Sequence, residues 1–308
     1  MQSRTTQSVP SKVFKSIETR HPLSGDGAKA VSALKLLLQK KKHIIVMSGA
    51  GISVNAGSKS SSLPHFLQVL TMSVPDFQSL RKSEKSSFDI SVYNSAADTA
   101  GFHTMICNLS RLSSQAKPTA FHYFLDGLAS NGRLIRHYTQ NIDCIEHQLP
   151  NLGERTVQLH GRIDEAVCQS CGWRTSFLPS RFCGSDLPDC TRCQGVALDR
   201  EREGKRQRGI GRLRPNIVLY GEDNPNGRII GASAKQDIRA GPDAVFMVGT
   251  ALKVPGAKKL ARELCRAVQD RGGVTVWINK DVPASGLKLP LDLVLQGDCD
   301  EVASLLLS

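Results

Sequence analysis

Residues 134–161 read LIRHYTQNIDCIEHQLPNLGERTVQLHG. An apolar run breaks off at Gln140, Asn141 and Asp143, and a short linker later a second apolar run ends at His160-Gly161. Strands that deliver polar side chains to one edge of a sheet leave this pattern. In open α/β sheets ligands bind at the carboxyl ends of the strands, so these four polar residues are the first candidates for chemistry.

Working outward, the same pattern recurs on both sides. Upstream, HIIVMSGAGIS (residues 43–53) is a buried strand followed by Gly49-Ala50-Gly51, with Ser48 and Ser53 flanking. Glycines there permit a tight turn and let backbone amides approach a phosphate. Val54 stands where a dinucleotide fingerprint carries its third glycine, so a phosphate loop and a plain strand-to-helix turn both fit. Downstream, residues 215–220 end in Gly221-Glu222, residues 244–248 in Gly249-Thr250, residues 274–278 in Asn279, and residues 291–295 in Gly297-Asp298. About six apolar runs interleaved with helices, such as 28–42, 118–131 and 256–270, predict an α/β fold, a doubly wound parallel sheet. Its edge would gather glycines, amides, a carboxylate and one histidine, a set suited to a dinucleotide. His103 and His122 fall in predicted helices (89–112 and 118–131) and read as packed structural residues.

Cys168-x-x-Cys171 and Cys190-x-x-Cys193 lie 18 residues apart, the spacing of a tetrathiolate zinc ribbon. Four thiolates fill a tetrahedron, so this zinc would be structural, holding a module too short for a core of its own. Cys183, between the pairs, has no partner at knuckle spacing. Residues 200–214 then carry seven basic residues against two acidic ones. They read either as a contact for nucleosomal DNA phosphates or an import receptor, or as a solvated loop returning from the module.

A chain of 308 residues, 40% of them hydrophobic, can bury a full core. No apolar run approaches the roughly 18 residues a membrane span needs, and the polar start of the chain lacks a signal-peptide core. A soluble protein of the cell interior with no membrane partner is expected. Nine cysteines, four of them in paired knuckles, suit a reduced compartment with a metal site. The net charge of +12 favours acidic partners.

GAGIS, TQNID, LHG, the paired knuckles, RPNIVLYGE, VGTALKVPG and WIN, in that order over residues 29–300, resemble the sirtuin (silent information regulator 2) family of NAD-dependent protein lysine deacylases. AKPT, QNIDCIE and GIGRLRPNIVLYGEDNP look most like its fungal nuclear branch directed at histone H3. The resemblance implies a Rossmann-like large domain over 29–161 and 213–308, with a helical subdomain at about 89–131. It further implies a zinc-ribbon module over 162–212, a flexible arm over 1–28, and NAD in the cleft. For the cofactor it implies Gly49, Ala50, Gly51, Ser53, Asp76, Phe77, Gln140, Asn141, Asp143, Gly249, Thr250, Asn279 and Cys299. Catalysis would fall to His160 as general base on the ribose hydroxyls, with Asn141 and Asp143 holding the nicotinamide end. An acetylated peptide, from the histone H3 tail or core, would add a strand between residues 218–222 and 253–255. Val218, Tyr220, Gly221, Glu222 and Val254 would contact it, and an apolar tunnel would admit the neutral acetyl-lysine and reject the charged amine.

The chain also departs from that family. Residues 58–73 intervene before Val74-Pro75-Asp76-Phe77, where the family continues directly, and Gln78 replaces an arginine. Ala251 replaces a common serine and Glu146 a common histidine. The insertion is compatible with a retained intron, Ser58-Lys59 fitting a splice donor and Ser73-Val74 an acceptor; the other reading is a lineage-specific loop. A catalytically weak chromatin-binding protein and a protein ADP-ribosyltransferase stay open beside the deacetylase.

Overall fold

The computed structural model describes residues 12–14, 25–56 and 88–307. The insertion at 58–73, with Asp76, Phe77 and Gln78, lies outside the described residues, as does most of the 1–28 arm. In chain order the elements are β1 (Lys12–Phe14), α1 (Gly25–Lys40), β2 (Ile44–Ser48), α2 (Ala96–Gln115), α3 (Ala120–Ser130), β3 (Leu134–Thr139), α4 (Pro150–Arg155), β4 (Thr156–Gln158) and β5 (Gly161–Cys168). There follow β6 (Arg174–Ser176), α5 (Thr191–Arg202), β7 (Leu213–Ile217), α6 (Gly227–Arg239), β8 (Ala244–Val248), α7 (Pro255–Gln269), β9 (Val274–Asn279), β10 (Leu293–Gln296) and α8 (Cys299–Leu307).

Seven strands form one sheet in the order β1-β10-β9-β8-β2-β3-β4, every neighbour parallel. The alternation of side chains across a strand divides β2 and β8 between two cores. Ile44, Val46, Ala244, Phe246 and Val248 face α1, α3 and α8, while Ile45, Met47, Val245 and Met247 face α6 and α7. Burial on both faces explains why these strands read as unbroken apolar runs. Helix α7 meets its core with Ala257, Leu260, Ala261, Leu264, Cys265 and Val268, the spacing of one helical face. On β3, Arg136 grips Asp237 of α6 through two bonds of 3.0 Å, and the Tyr138 hydroxyl donates to the same carboxylate at 2.5 Å.

Three expectations change. Lys12–Phe14, read as part of a flexible arm, pairs parallel with β10 at the sheet edge; three residues are too few to show a periodicity. The run at 215–220 is not a strand of the parallel sheet. Its strand is Leu213–Ile217, which pairs antiparallel with β5 in a separate three-stranded sheet, β6-β5-β7. Burial of Leu213, Pro215, Asn216 and Ile217 between that sheet and the helical part gives it the same apolar look. Finally, the predicted helix at 89–112 is interrupted, because Ser95 accepts from the Asp98 amide at 3.1 Å and starts α2 afresh after a single 3-10 turn.

The small sheet has its own apolar core. Phe102, Ile106 and Leu109 of α2 pack on Ile163 and Ala166 of β5, Phe177, Phe182 and Leu213. Helix α2 and the cysteine module thus share one core, whereas α3, expected in the same helical part at about 89–131, packs on the parallel sheet.

Candidate active site

Strands β2 and β8 are neighbours, yet the chain leaves β2 toward β3 and leaves β8 toward β9, on opposite sides. The crevice at such a switch point is where open α/β sheets bind ligands. A cleft of about 960 Å³ opens there, at the upper end of the roughly 300–1,000 Å³ typical of cofactor sites.

The turns after the two strands cross in contact. The Gly51 amide donates to the Gly249 carbonyl at 2.8 Å, and a Cβ on Gly51 would stand 2.5 Å from the Gly249 α-carbon. Gly249 itself has φ +58°. The Gly49 amide is likewise spent, on Val248 at 3.0 Å. These glycines are required by the crossing of two backbones. They line the cleft, but with the amides of Gly49 and Gly51 spent on backbone, the plain turn is the reading of those two amides that the geometry favours.

Polar side chains then lock the edge. Gln140 Nε2 donates to the Ser48 carbonyl at 3.1 Å and to Thr250 Oγ1 at 2.7 Å, fastening β3 to β2 and β8. Asn141, 1% exposed, donates Nδ2 to Ser53 Oγ at 3.0 Å. The Ser53 hydroxyl also favours the charged form of the Asp143 carboxylate behind it. This relay fixes the Asn141 amide and leaves its Oδ1 for an incoming donor. Burial pushes the Asp143 carboxyl up, while the bonds from Ser53 and the Ile145 amide pull it down.

His160 Nδ1 lies 2.9 Å from the Gln140 carbonyl oxygen. A carbonyl only accepts, so Nδ1 carries the proton and Nε2 keeps its lone pair, the tautomer of a general base. Burial holds the ring's pKa below the usual histidine range, against an upward pull from the Gln140 bond. The next residue, Gly161 (φ +86°), has no room for a Cβ, which would stand 2.1 Å from the Asn216 carbonyl oxygen. The His160 carbonyl takes the Val218 amide at 3.0 Å, so the base and the opposite wall are bolted together.

That wall rests on a largely buried ion pair. Arg214 Nη1 and Nη2 reach the two Glu222 oxygens at 2.8 and 2.5 Å, and the Leu219 amide adds a bond of 2.6 Å. The guanidinium carbon sits 5.6 Å from the Tyr93 ring centroid. The Glu222 carboxylate is thus committed to shaping the 218–222 segment. Tyr220 is paired on one side by Phe88 and Ile90 through bonds of 2.8 and 2.9 Å.

Of the residues expected to bind cofactor or substrate, Gly49, Ala50, Gly51, Gln140, Asn141, His160, Val218, Tyr220, Gly221, Glu222, Gly249, Thr250, Val254 and Asn279 line the cleft. Ser53 and Asp143 sit behind Asn141, off the lining. Cys299 is buried in the core under α8, its thiol pushed up to about 12 by burial. Sequence reasoning missed the side of the cleft built by α6 and α7, which contributes Lys235, Lys259 and Glu263; Lys280 lies beyond β9. Their only signal was charge beside an amphipathic stripe.

The four knuckle cysteines converge as expected. All four sulfurs lie within 4.8 Å of one another, with Cys168–Cys193 and Cys171–Cys190 at 3.8 Å. Zinc–sulfur bonds of about 2.3 Å give tetrahedron edges of about 3.8 Å, so the donors fit one zinc. Gly211 closes the site from below, where a Cβ would meet the Cys168 sulfur at 2.5 Å. The second knuckle opens α5, a helix that the ribbon spacing did not reveal.

A profile described as the Sir2 family matches residues 49–256. The NAD-dependent protein deacetylase hst4 of Emericella nidulans is 40% identical over 91% of this chain, which spans 49% of that relative. The NAD-dependent histone deacetylase HST4 of Saccharomyces cerevisiae is 35% identical over 87% of the chain and 76% of the relative. Among solved structures, Sir2Tm bound to a propionylated peptide superposes with a TM-score of 0.64 at 23% identity, covering 89% of this chain and 95% of that one. A Sir2 homolog–NAD complex gives 0.64 at 21%, covering 89% and 92%. The switch-point cleft, the histidine set against it and the four-sulfur cluster thus lie in a chain that matches this profile over most of its length, and the chain belongs to the Sir2 family.

Proposed function

We propose that this chain is an NAD-dependent protein lysine deacetylase that moves the acetyl group to ADP-ribose and releases nicotinamide. The observation that carries the reading is the His160–Gln140 bond, which presents an unprotonated Nε2 at the same cleft as Asn141. The relatives named NAD-dependent deacetylases support it. The cleft has room for a dinucleotide, with bare glycine backbone at one end and Lys235, Lys259 and Lys280 along it for phosphates. When bound, NAD supplies the sugar carbon that accepts the acetyl oxygen as nicotinamide leaves.

The chain's own residues do the rest. Asn141, oriented by Ser53 and Asp143, holds the nicotinamide amide. His160 Nε2 takes a proton from a ribose hydroxyl, a contribution on the order of 10²–10⁴ in rate for a positioned base. Val218, Tyr220 and Gly221 form one wall for an acetylated lysine segment, and Val254 at the start of α7 faces it across the cleft. One structural zinc holds the module that carries this wall. The substrate is a histone H3 acetyl-lysine, in the nucleus. Residues 201–210, exposed throughout, lie against nucleosomal DNA; neutralising Arg202, Arg206 and Arg208 should lower the salt slope of DNA binding by about 0.9 for each phosphate that an arginine no longer neutralises.

The test is nicotinamide release from NAD with an acetylated H3 peptide, for the natural chain and for His160→Ala. Acetyl-dependent release that the variant loses supports the reading. ADP-ribose left on the peptide would replace it with protein ADP-ribosyl transfer, and no consumption of NAD would leave a binding protein.

A further inference from the structure

Glu146 is fully buried in the 3-10 turn at Ile145–Gln148, three residues after Asp143. Neither of its carboxylate oxygens has a hydrogen-bond partner among the described residues. The Thr139 hydroxyl, which accepts the Asn141 amide at 3.1 Å, lowers its pKa from nearby without reaching hydrogen-bond geometry to either Glu146 oxygen. Two charged groups bear on it from neighbouring elements, Asp143 on the loop after β3 and Arg162 on β5. Arg162 is already committed, with Nε and Nη2 on Asp164 at 2.9 and 2.8 Å and Nη1 on Glu165 at 3.3 Å. A buried carboxylate with no donor in hydrogen-bond geometry and a second carboxylate beside it is costly to charge, and the remedy is to keep its proton.

We propose that Glu146 is a positioning residue that works as a neutral acid: it keeps the Asp143–Glu146 pair at a single negative charge, and loss of its proton loosens the loop that holds Asn141 and Asp143. The loop has little to absorb a second charge. It is held by the Ile145 amide on Asp143 Oδ1 at 3.3 Å, by Ser113 on the Asp143 carbonyl, and by the Asn141–Ser53 bond. The inference agrees with the direction in which burial and the Asp143 charge move the group, up to about 8. The pair titrates as a unit, so the observed midpoint belongs to both carboxyls.

The catalytic consequence rests on the function proposed above; the stability consequence does not. A carboxyl whose pKa rises on folding contributes stability that is complete below the unfolded value and is lost as pH rises through the folded value. Between pH 5 and about 8 the natural chain should therefore lose melting temperature relative to Glu146→Gln, which has no proton to lose. In catalysis, kcat for the natural chain should fall roughly tenfold for each pH unit above the midpoint, and the pH 9 to pH 7 ratio should flatten in Glu146→Gln. Infrared spectra of the natural chain at pH 6 and pH 9 should show a protonated-carboxyl band that titrates away, which decides the matter even if the variant does not fold. Parallel melting curves for the two chains, or no such band, would overturn the proposal. A melting difference without acetyl-dependent NAD turnover in either chain would uphold the acid and refute the function.

Discussion

Gly51 and Gly249 cross so closely that a methyl group on the first would stand 2.5 Å from the α-carbon of the second. Both partners are backbone, so neither can swing aside. Overpacking of this kind costs roughly 1–3 kcal/mol, with a further penalty of about 1 kcal/mol at Gly249 for its left-handed backbone. Gly51→Ala and Gly249→Ala should each lower the chemical-denaturation midpoint and abolish NAD binding by calorimetry. Gly101→Ala, where the added carbon meets nothing within 4 Å, should do neither.

The buried tautomer of His160 sets the acid side of the pH profile. Because burial lowers its pKa, the base form persists below the usual histidine value near 6.5. The acid limb of the natural chain's kcat/KM should therefore lie below pH 6.5. The melting temperature of His160→Ala at pH 7.5 should stay within a few degrees of the natural chain's.

His122 and His137 are fully buried, and burial lowers their pKa values to about 4 and about 3. The unfolded chain binds protons that the folded chain refuses, so stability present above pH 6.5 is lost as pH falls toward those values, by up to about 1.4 kcal/mol per pH unit for each ring. Glutamine can replace His122 in the capping box that it forms with Thr119. Glu146 pulls the other way over part of this window, so the readout is a difference. Melting scans from pH 4 to 7 should show a shallower acid loss for His122→Gln than for the natural chain.

One zinc per chain should be found by metal analysis. A strong chelator, or Cys190→Ser, should remove it. The Phe177–Phe182 stack, at 4.7 Å between centroids, should then lose its near-ultraviolet signature, while far-ultraviolet dichroism keeps the parallel sheet.

Much of this was legible from residue order alone. Strands at 44–48, 244–248 and 274–279 announce themselves because a parallel strand buried on both faces must be largely apolar, while 134–139, with Arg136 and His137 in it, is betrayed by the polar residues that follow it. The polar residues that close those strands named most of the cleft. What stayed hidden has physical reasons. Leu213–Ile217 is as apolar as a parallel strand but pairs in another sheet, and apolarity says nothing of partner or direction. Lys235 and Glu263 look like the wet faces of ordinary amphipathic helices until α6 and α7 are placed beside the switch point. The purpose of the glycines stayed open in the sequence because Gly51 answers to Gly249, nearly two hundred residues away.

Strand β5 runs from Gly161, next to the proposed base, to Cys168 of the four-sulfur cluster, and β7 returns alongside it from Leu213 to Ile217, next to the proposed substrate wall. The four-sulfur cluster and the proposed reactive edge are thus the two ends of one ladder. A graft that exchanged the cysteine module for a relative's would import a new angle between His160 and Val218 with it. In this scaffold, transplanting metal-binding parts amounts to re-cutting the mouth of the enzyme.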